Sequence, residues 1–249
     1  DGGFIIGGKP WLIKTDSQGN IDWYSDRSGS SADVEDVGDG YITIGSSYPD
    51  AIYAKFNYSG DLIWLNQYDG AASYAQRVGR SIHKLSDGSL IISGGTFGVE
   101  SAGWLKKMSS DGGSIIWEII ADFESPMASA YVHDNDEIGW LSSFLRKVDS
   151  DGNILWESHA LNVTNVYTSG VCGTADGGFA VVHPWHSSLA KFARTDSEGN
   201  IIWNRPGSQH DSETIAGNVV RQTDDGGFII LYSADRLLFK TDPNGEINW

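Results

Sequence analysis

Cysteine is nearly absent from this chain. Cys172 stands alone, so neither an internal disulfide framework nor a multi-cysteine metal site can hold the fold. Its setting in the small, apolar run SGVCGT reads as a buried, inert thiol. Basic side chains are scarce as well, 17 against 33 acidic, and the resulting formal charge of −16 argues against a nucleic-acid partner. No apolar run approaches the ~20 residues that a bilayer-spanning helix needs, so no transmembrane segment is expected. Helical periodicity is missing throughout, and prolines number only six. Neither an initiator methionine nor a signal-like segment stands at Asp1, which leads us to expect a processed or trimmed piece of a longer protein.

Glycine and aromatics are plentiful instead: 31 glycines, ten tryptophans and ten tyrosines, a composition suited to many strands joined by tight turns. Two elements recur six times in the same order. One is DGGFII at Asp1, GDGYITI at Gly38, SDGSLII at Ser86, DEIGWLSS at Asp136, ADGGFAVV at Ala175 and DDGGFIIL at Asp224. The other is KTDSQGNIDW, KFNYSGDLIW, KMSSDGGSIIW, KVDSDGNILW, RTDSEGNIIW and KTDPNGEINW, ending at Trp23, Trp64, Trp117, Trp156, Trp203 and Trp249. The tryptophans lie 41, 53, 39, 47 and 46 residues apart, about 45 on average, which is the length of a four-stranded propeller blade.

The turn chemistry divides each repeat into strands. In the last one IAGNVVRQ is an inner strand, TDDGG a turn, FIILYS a second strand, RLLFKT a third, DPNG a turn and EINW a fourth. The expected fold is therefore all-β: a six-bladed β-propeller of four-stranded antiparallel blades forming a single domain over 1–249. Trp23 arrives after only half a repeat, so the first blade lacks its inner strand within this chain, and strand exchange at that blade is a candidate mode of association.

The repeated positions read as structural. Burying an indole removes roughly 150–250 Å² of surface from water, so six equivalent tryptophans would anchor the packing between blades. The basic residues Lys14, Lys55, Lys107, Lys147, Arg194 and Lys240 read as partners of turn carboxylates. Trp11, Trp104 and Trp140 also read as packing. Calcium is the alternative use of the turn acids, strongest at Asp149-Ser150-Asp151-Gly152-Asn153. Calcium loops need six to eight oxygens, however, and Trp156 stands where later ligands would come, so a hairpin turn and no cofactor are expected. Nor is this the sialidase Asp box, since the step from glycine to tryptophan is four positions.

The DGGF and K-T-D-x-x-G-N-x-x-W elements resemble the propeller-like repeats of large secreted or surface-anchored bacterial and archaeal proteins, over essentially the whole chain. More distantly, D-x-x-G-x-x-x-W is similar to the quinoprotein-dehydrogenase repeat, although the adjacent-cysteine pair of quinone-binding members is missing. The closer resemblance implies an extracellular or cell-surface scaffold or binding module. The sequons at Asn57 and Asn162 are compatible with export.

Chemistry would then sit where the repeat is broken at the mouth of a channel. Inner-strand candidates are Asp33, Glu35, Arg77, Arg80, His83, Tyr131, His133, Tyr167, Asn218 and Arg221. The insert HPWHSS adds His183, Trp185 and His186, with Trp185 the foremost aromatic for ligand stacking. The leading expectation is a non-catalytic module that binds a glycan or protein or spaces other domains. One alternative is a polysaccharide-acting hydrolase using Asp33 and Glu35, because a raised-pKa carboxylate beside an ionised one can cleave glycosides. Another is a subunit of an extracellular filament or lattice.

Overall fold

The computed structural model describes residues 2–8, 12–26, 30–68, 76–98, 101–121, 128–158, 170–183, 191–206, 217–232 and 237–249. Every regular element among them is a strand, and the strands form six antiparallel sheets in chain order. The chain divides into two compact units, Asp1–Ile120 and Ala121–Trp249.

The first unit holds three sheets. They are β1–β3 (Ile5–Gly7, Leu12–Thr15, Ile21–Ser25), β4–β7 (Ser30–Asp36, Tyr41–Ser47, Asp50–Phe56, Leu62–Tyr68) and β8–β11 (Gln76–Lys84, Leu90–Phe97, Ala102–Met108, Ile115–Ile120). The second unit holds β12–β15 (Ser129–Val132, Ile138–Leu141, Leu145–Val148, Ile154–Ser158), β16–β19 (Gly170–Gly173, Phe179–His183, Lys191–Thr195, Ile201–Pro206) and β20–β22 (Gly217–Gln222, Phe228–Tyr232, Leu237–Thr241). This is the expected all-β, six-bladed propeller, and its first sheet has three strands as the half-repeat predicts. The sixth sheet differs from expectation. The EINW segment pairs only through the bridge Thr241–Ile247 and two backbone hydrogen bonds between Lys240 and the Asn248–Trp249 stretch, too few contacts to make a full fourth strand.

The turn before each last strand explains why its motif recurs. Asp149 Oδ1 accepts hydrogen bonds from the Asp151 and Asn153 amides, and Oδ2 accepts one from the Asn153 side chain. Asp16 and Asp196 do the same in their own turns, with Asn20 and Asn200 as partners. The Asx residue is thus a backbone cap, and these bonds hold the carboxyls of Asp149, Asp16 and Asp196 below the usual carboxylate range. In five sheets the register slips by one residue immediately after the basic residue, which places Lys14, Lys55, Lys107, Lys147 and Arg194 directly opposite the tryptophans. Five basic groups reach an acid of the preceding turn in their own sheet: Lys55 to Asp39 at 2.7 Å, Lys107 to Asp87 at 3.0 Å, Lys147 to Glu137 at 2.7 Å, Arg194 to Asp176 at 2.7 Å and Lys240 to Asp225 at 2.9 Å. Among the described residues Lys14 departs from the expectation, donating to the Thr15 carbonyl at 2.7 Å and lying 3.8 Å from Asp22 on β3.

Within each unit, tryptophans close the seams between neighbouring sheets. Trp156 donates its indole N–H to the Ser197 carbonyl at 2.9 Å and meets the ring of Phe179 edge-on at 5.9 Å. Trp203 does the same with the Pro243 carbonyl and Phe228, while Trp23 donates to the Tyr58 carbonyl and meets the Tyr41 ring at a tilt, 6.1 Å between centres. The indole also lies against the turn glycine of the next sheet. A Cβ built on Gly199 would come within 2.8 Å of Trp156, and this residue has φ of +86°, so both space and conformation call for glycine. Gly60, Gly112 and Gly245 face Trp23, Trp64 and Trp203 in the same way. Trp23, Trp156 and Trp203 therefore each pack against the aromatic of the following repeat, and these three and Trp64 against its turn glycine, so within each unit the two recurring elements are the two halves of one contact. The buried clusters follow these seams: Leu12, Ala54 and Phe56 form one, and Leu141, Leu145, Val171, Phe179, Val181 and Ala193 another. Trp104 and Trp140 are buried, as expected of packing residues, whereas Trp11 lies outside the described residues.

Candidate functional site

Three first strands of the second unit end together. Tyr131 on β12, Cys172 and Gly173 on β16, and Arg221 and Gln222 on β20 line a cavity of about 460 Å³. The turns that follow these strands add His133, Asp134, Asn135, Thr174, Ala175 and Gly177.

Part of this lining is fixed by neighbours. His133 places Nε2 3.1 Å from the Gly178 carbonyl, and its ring lies 4.8 Å from Phe179 and 5.4 Å from Tyr131. Burial lowers the pKa of this imidazole, favouring its neutral form. Gly173 makes room for both rings, since an added Cβ would fall 2.3 Å from His133 and 2.4 Å from Tyr131. Gln222 accepts the Ala175 N–H at 2.8 Å and donates to the Gly226 carbonyl at 3.2 Å, tying one sheet to the next. Burial pushes the Cys172 thiol up to about 11, so the floor of the cavity carries a thiol and not a thiolate nucleophile. The exposed polar groups are Arg221, whose Nη1 donates to the Val220 carbonyl at 3.0 Å, together with Asp134 and Asn135. The arrangement offers donors, acceptors, one cation and one carboxylate, a set suited to holding a polar ligand.

Of the candidates read from sequence, the structure brings Tyr131, His133 and Arg221 together here. In the first unit Asp33 and Glu35 sit two residues apart on β4. Asp33 Oδ2 accepts the Ile82 N–H at 3.1 Å and Glu35 Oε1 accepts the Lys84 N–H at 3.5 Å, so both carboxylates bond the exposed edge of the neighbouring strand β8. Burial raises the Glu35 carboxyl to about 6. Arg80 is the extra residue of a bulge in β8, and burial lowers its pKa; Asn218 occupies the corresponding bulge in β20. Arg77 lays its guanidinium 4.0 Å from the centre of the Tyr68 ring. His83 lies on β8 opposite Ile91. Tyr167, Trp185 and His186 lie outside the described residues, and His183 is placed only through its backbone pairing with Lys191.

Sequence reasoning missed Asp134, Asn135 and Gln222. Their common signal is position, at or just beyond the end of a first strand. It also passed over Lys106, which is buried at 1% side-chain exposure, lies directly opposite Glu118 and reaches it at 3.0 Å. That ammonium also sits 2.8 Å from the centre of the Tyr68 ring, and burial drives its pKa down to about 8. Arg146 occupies the corresponding position in the fourth repeat, paired with Glu157 and donating to Ser142 Oγ at 2.6 Å.

No family model and no curated protein matches the chain. Solved structures do. A protein of unknown function from Bacteroides caccae is 13% identical with a TM-score of 0.60, over 98% of this chain and 91% of that one. BamB from Moraxella catarrhalis is 16% identical with a TM-score of 0.58, over 99% and 69%. The C-terminal WD40 domain of Sif2 is 12% identical with a TM-score of 0.65, over 96% and 63%. Among the described residues no helix is long and apolar enough to cross a membrane. What these likenesses share with the chain is its fold, the β-propeller.

Proposed function

We propose that this chain is a non-catalytic binding or scaffold module, working at the cell surface or outside the cell, that takes a glycan or protein ligand at the cavity beneath Arg221. The observation that carries this reading is the convergence of Tyr131, Cys172 and Arg221 from three successive sheets onto one cavity whose His133 and Cys172 are held neutral. Its polar groups can orient a ligand without any cofactor. Support for the surface setting comes from the acidity of the chain and from the likeness of its DGGF and K-T-D-x-x-G-N-x-x-W elements to repeats of secreted and surface-anchored proteins. The propeller neighbours, which include a WD40 domain, favour a binding or scaffold role by analogy of fold.

A hydrolase is the weaker reading, because the raised Glu35 and its neighbour Asp33 are engaged with β8 backbone amides. The test is a broad glycan array probed in parallel with an extracellular-protein array, using the wild-type chain and Arg221→Ala. Binding that is lost in the variant supports the proposal. No binding on either array, or binding indifferent to Arg221, overturns it, and turnover of a polysaccharide panel that disappears in Glu35→Gln would establish the hydrolase instead.

A further inference from the structure

A second cavity, of about 660 Å³, lies in the first unit between the first two sheets, lined by Lys14, Asp22, Trp23, Asp36, Tyr41, Tyr58 and Ser59. Its lining departs from the repeat at three independent places. Tyr58 stands where the other five repeats have Ser17, Ser110, Ser150, Ser197 and Pro243. Asp22 precedes its tryptophan where Ile63, Ile116, Leu155 and Ile202 stand in the next four repeats. Tyr41 carries a hydroxyl at the position of Phe4, Leu90, Ile138, Phe179 and Phe228. These three residues come from β3, β5 and the turn between β6 and β7, yet they line the same space.

The aromatics are held in advance of any ligand. Tyr58 meets Tyr41 edge-on at 5.2 Å, its hydroxyl donates to Asp36 Oδ1 at 2.8 Å, and its carbonyl accepts the Trp23 indole N–H at 2.9 Å. Despite these contacts Tyr58 remains 47% exposed. Such pre-organisation lowers the entropy lost on binding. The charges select the ligand. An anion would meet Asp22 and Asp36, a cation would meet Lys14, and an apolar occupant would strip water from all three. A neutral ring rich in hydroxyls satisfies the whole set: its C–H face lies on an electron-rich aromatic face, its hydroxyls donate to the carboxylates, and the ammonium donates to a hydroxyl oxygen.

We infer that this cavity is a carbohydrate site, binding a neutral pyranose of an oligosaccharide through Tyr58, Trp23, Asp22 and Asp36. It is separate from the cavity beneath Arg221, so the two can fail independently. The test is isothermal titration of the full 249-residue chain with cellohexaose, chitohexaose and maltohexaose in turn. At least one should bind with Kd below about 10 mM, and Tyr58→Ser and Asp22→Ile should each weaken it by about tenfold or more. Both substitutions install residues that other repeats carry, so the fold should persist, which thermal unfolding checks. Arg221→Ala should leave this binding unchanged. Failure of all three sugars to bind overturns the inference, as does binding indifferent to both Tyr58 and Asp22. Binding lost in Arg221→Ala but kept in Tyr58→Ser also overturns it, while supporting the first cavity as the sugar site.

Discussion

The seam at Trp156 and the cavity at Arg221 belong to the same three-sheet unit and use its strands in opposite ways. At the seam the participants are repeat positions: a tryptophan and a turn glycine on which the indole lies, present in all six repeats, and an aromatic of the next second strand, present in four as Phe4, Tyr41, Phe179 and Phe228. At the cavity the exposed cation Arg221 has no such recurrence, standing where the two preceding repeats have Cys172 and Tyr131, and it is solvated where the seam residues are packed. The contrast teaches that repetition marks stability in this chain, and departure from it marks a surface open to ligands.

The comparison breaks most visibly at the seams. Trp203→Ala removes an indole packed on Phe192 and Phe228 together with its bond to Pro243, and we expect a loss of about 3 kcal/mol in denaturant unfolding. Gly199→Ala puts a methyl group against Trp156 in a left-handed backbone, which should cost about 2 kcal/mol by the same measurement.

Departures that are buried should show instead in pH dependence. Lys106 has its pKa lowered to about 8 by burial, so the folded state carries the full cost of the charge below pH 8. The unfolded chain holds more protons between that value and the ordinary lysine range, and stability should rise by about 2 kcal/mol from pH 8 to pH 10. Lys106→Met should abolish that rise, as read from the difference between the two unfolding profiles. Glu35 is the smaller case. Its carboxyl is raised to about 6, so the folded state holds the extra proton, and stability should fall as pH climbs from about 4.5 to 6. Partial solvation limits the drop to about 1 kcal/mol, and Glu35→Gln should flatten it.

Much of this architecture could be read from sequence because each seam draws one residue from each of two repeats. Trp156 and Phe179 both recur, and the interval between their elements is enough to pair them. The basic residue and its turn acid were legible for the same reason. Lys106 was not, because Lys106 and Lys107 look equivalent in the string, and only the register opposite Glu118 and the approach of Tyr68 from another sheet separate them. Asp33 and Glu35 had the composition of a catalytic pair, yet the amides they serve, at Ile82 and Lys84, lie 49 residues away in sequence. The cavities were hidden by the same distance, since Tyr131 and Arg221 meet only once three strands end side by side.

Equilibrium denaturation of Trp156→Ala beside Arg221→Ala tests the division of labour most directly. The tryptophan variant should lose about 3 kcal/mol, and the arginine variant should stay within about 0.5 kcal/mol of the wild type. Equal losses, or a larger loss at Arg221, would contradict the claim that repeated positions hold this protein together while its exceptions face outward to bind.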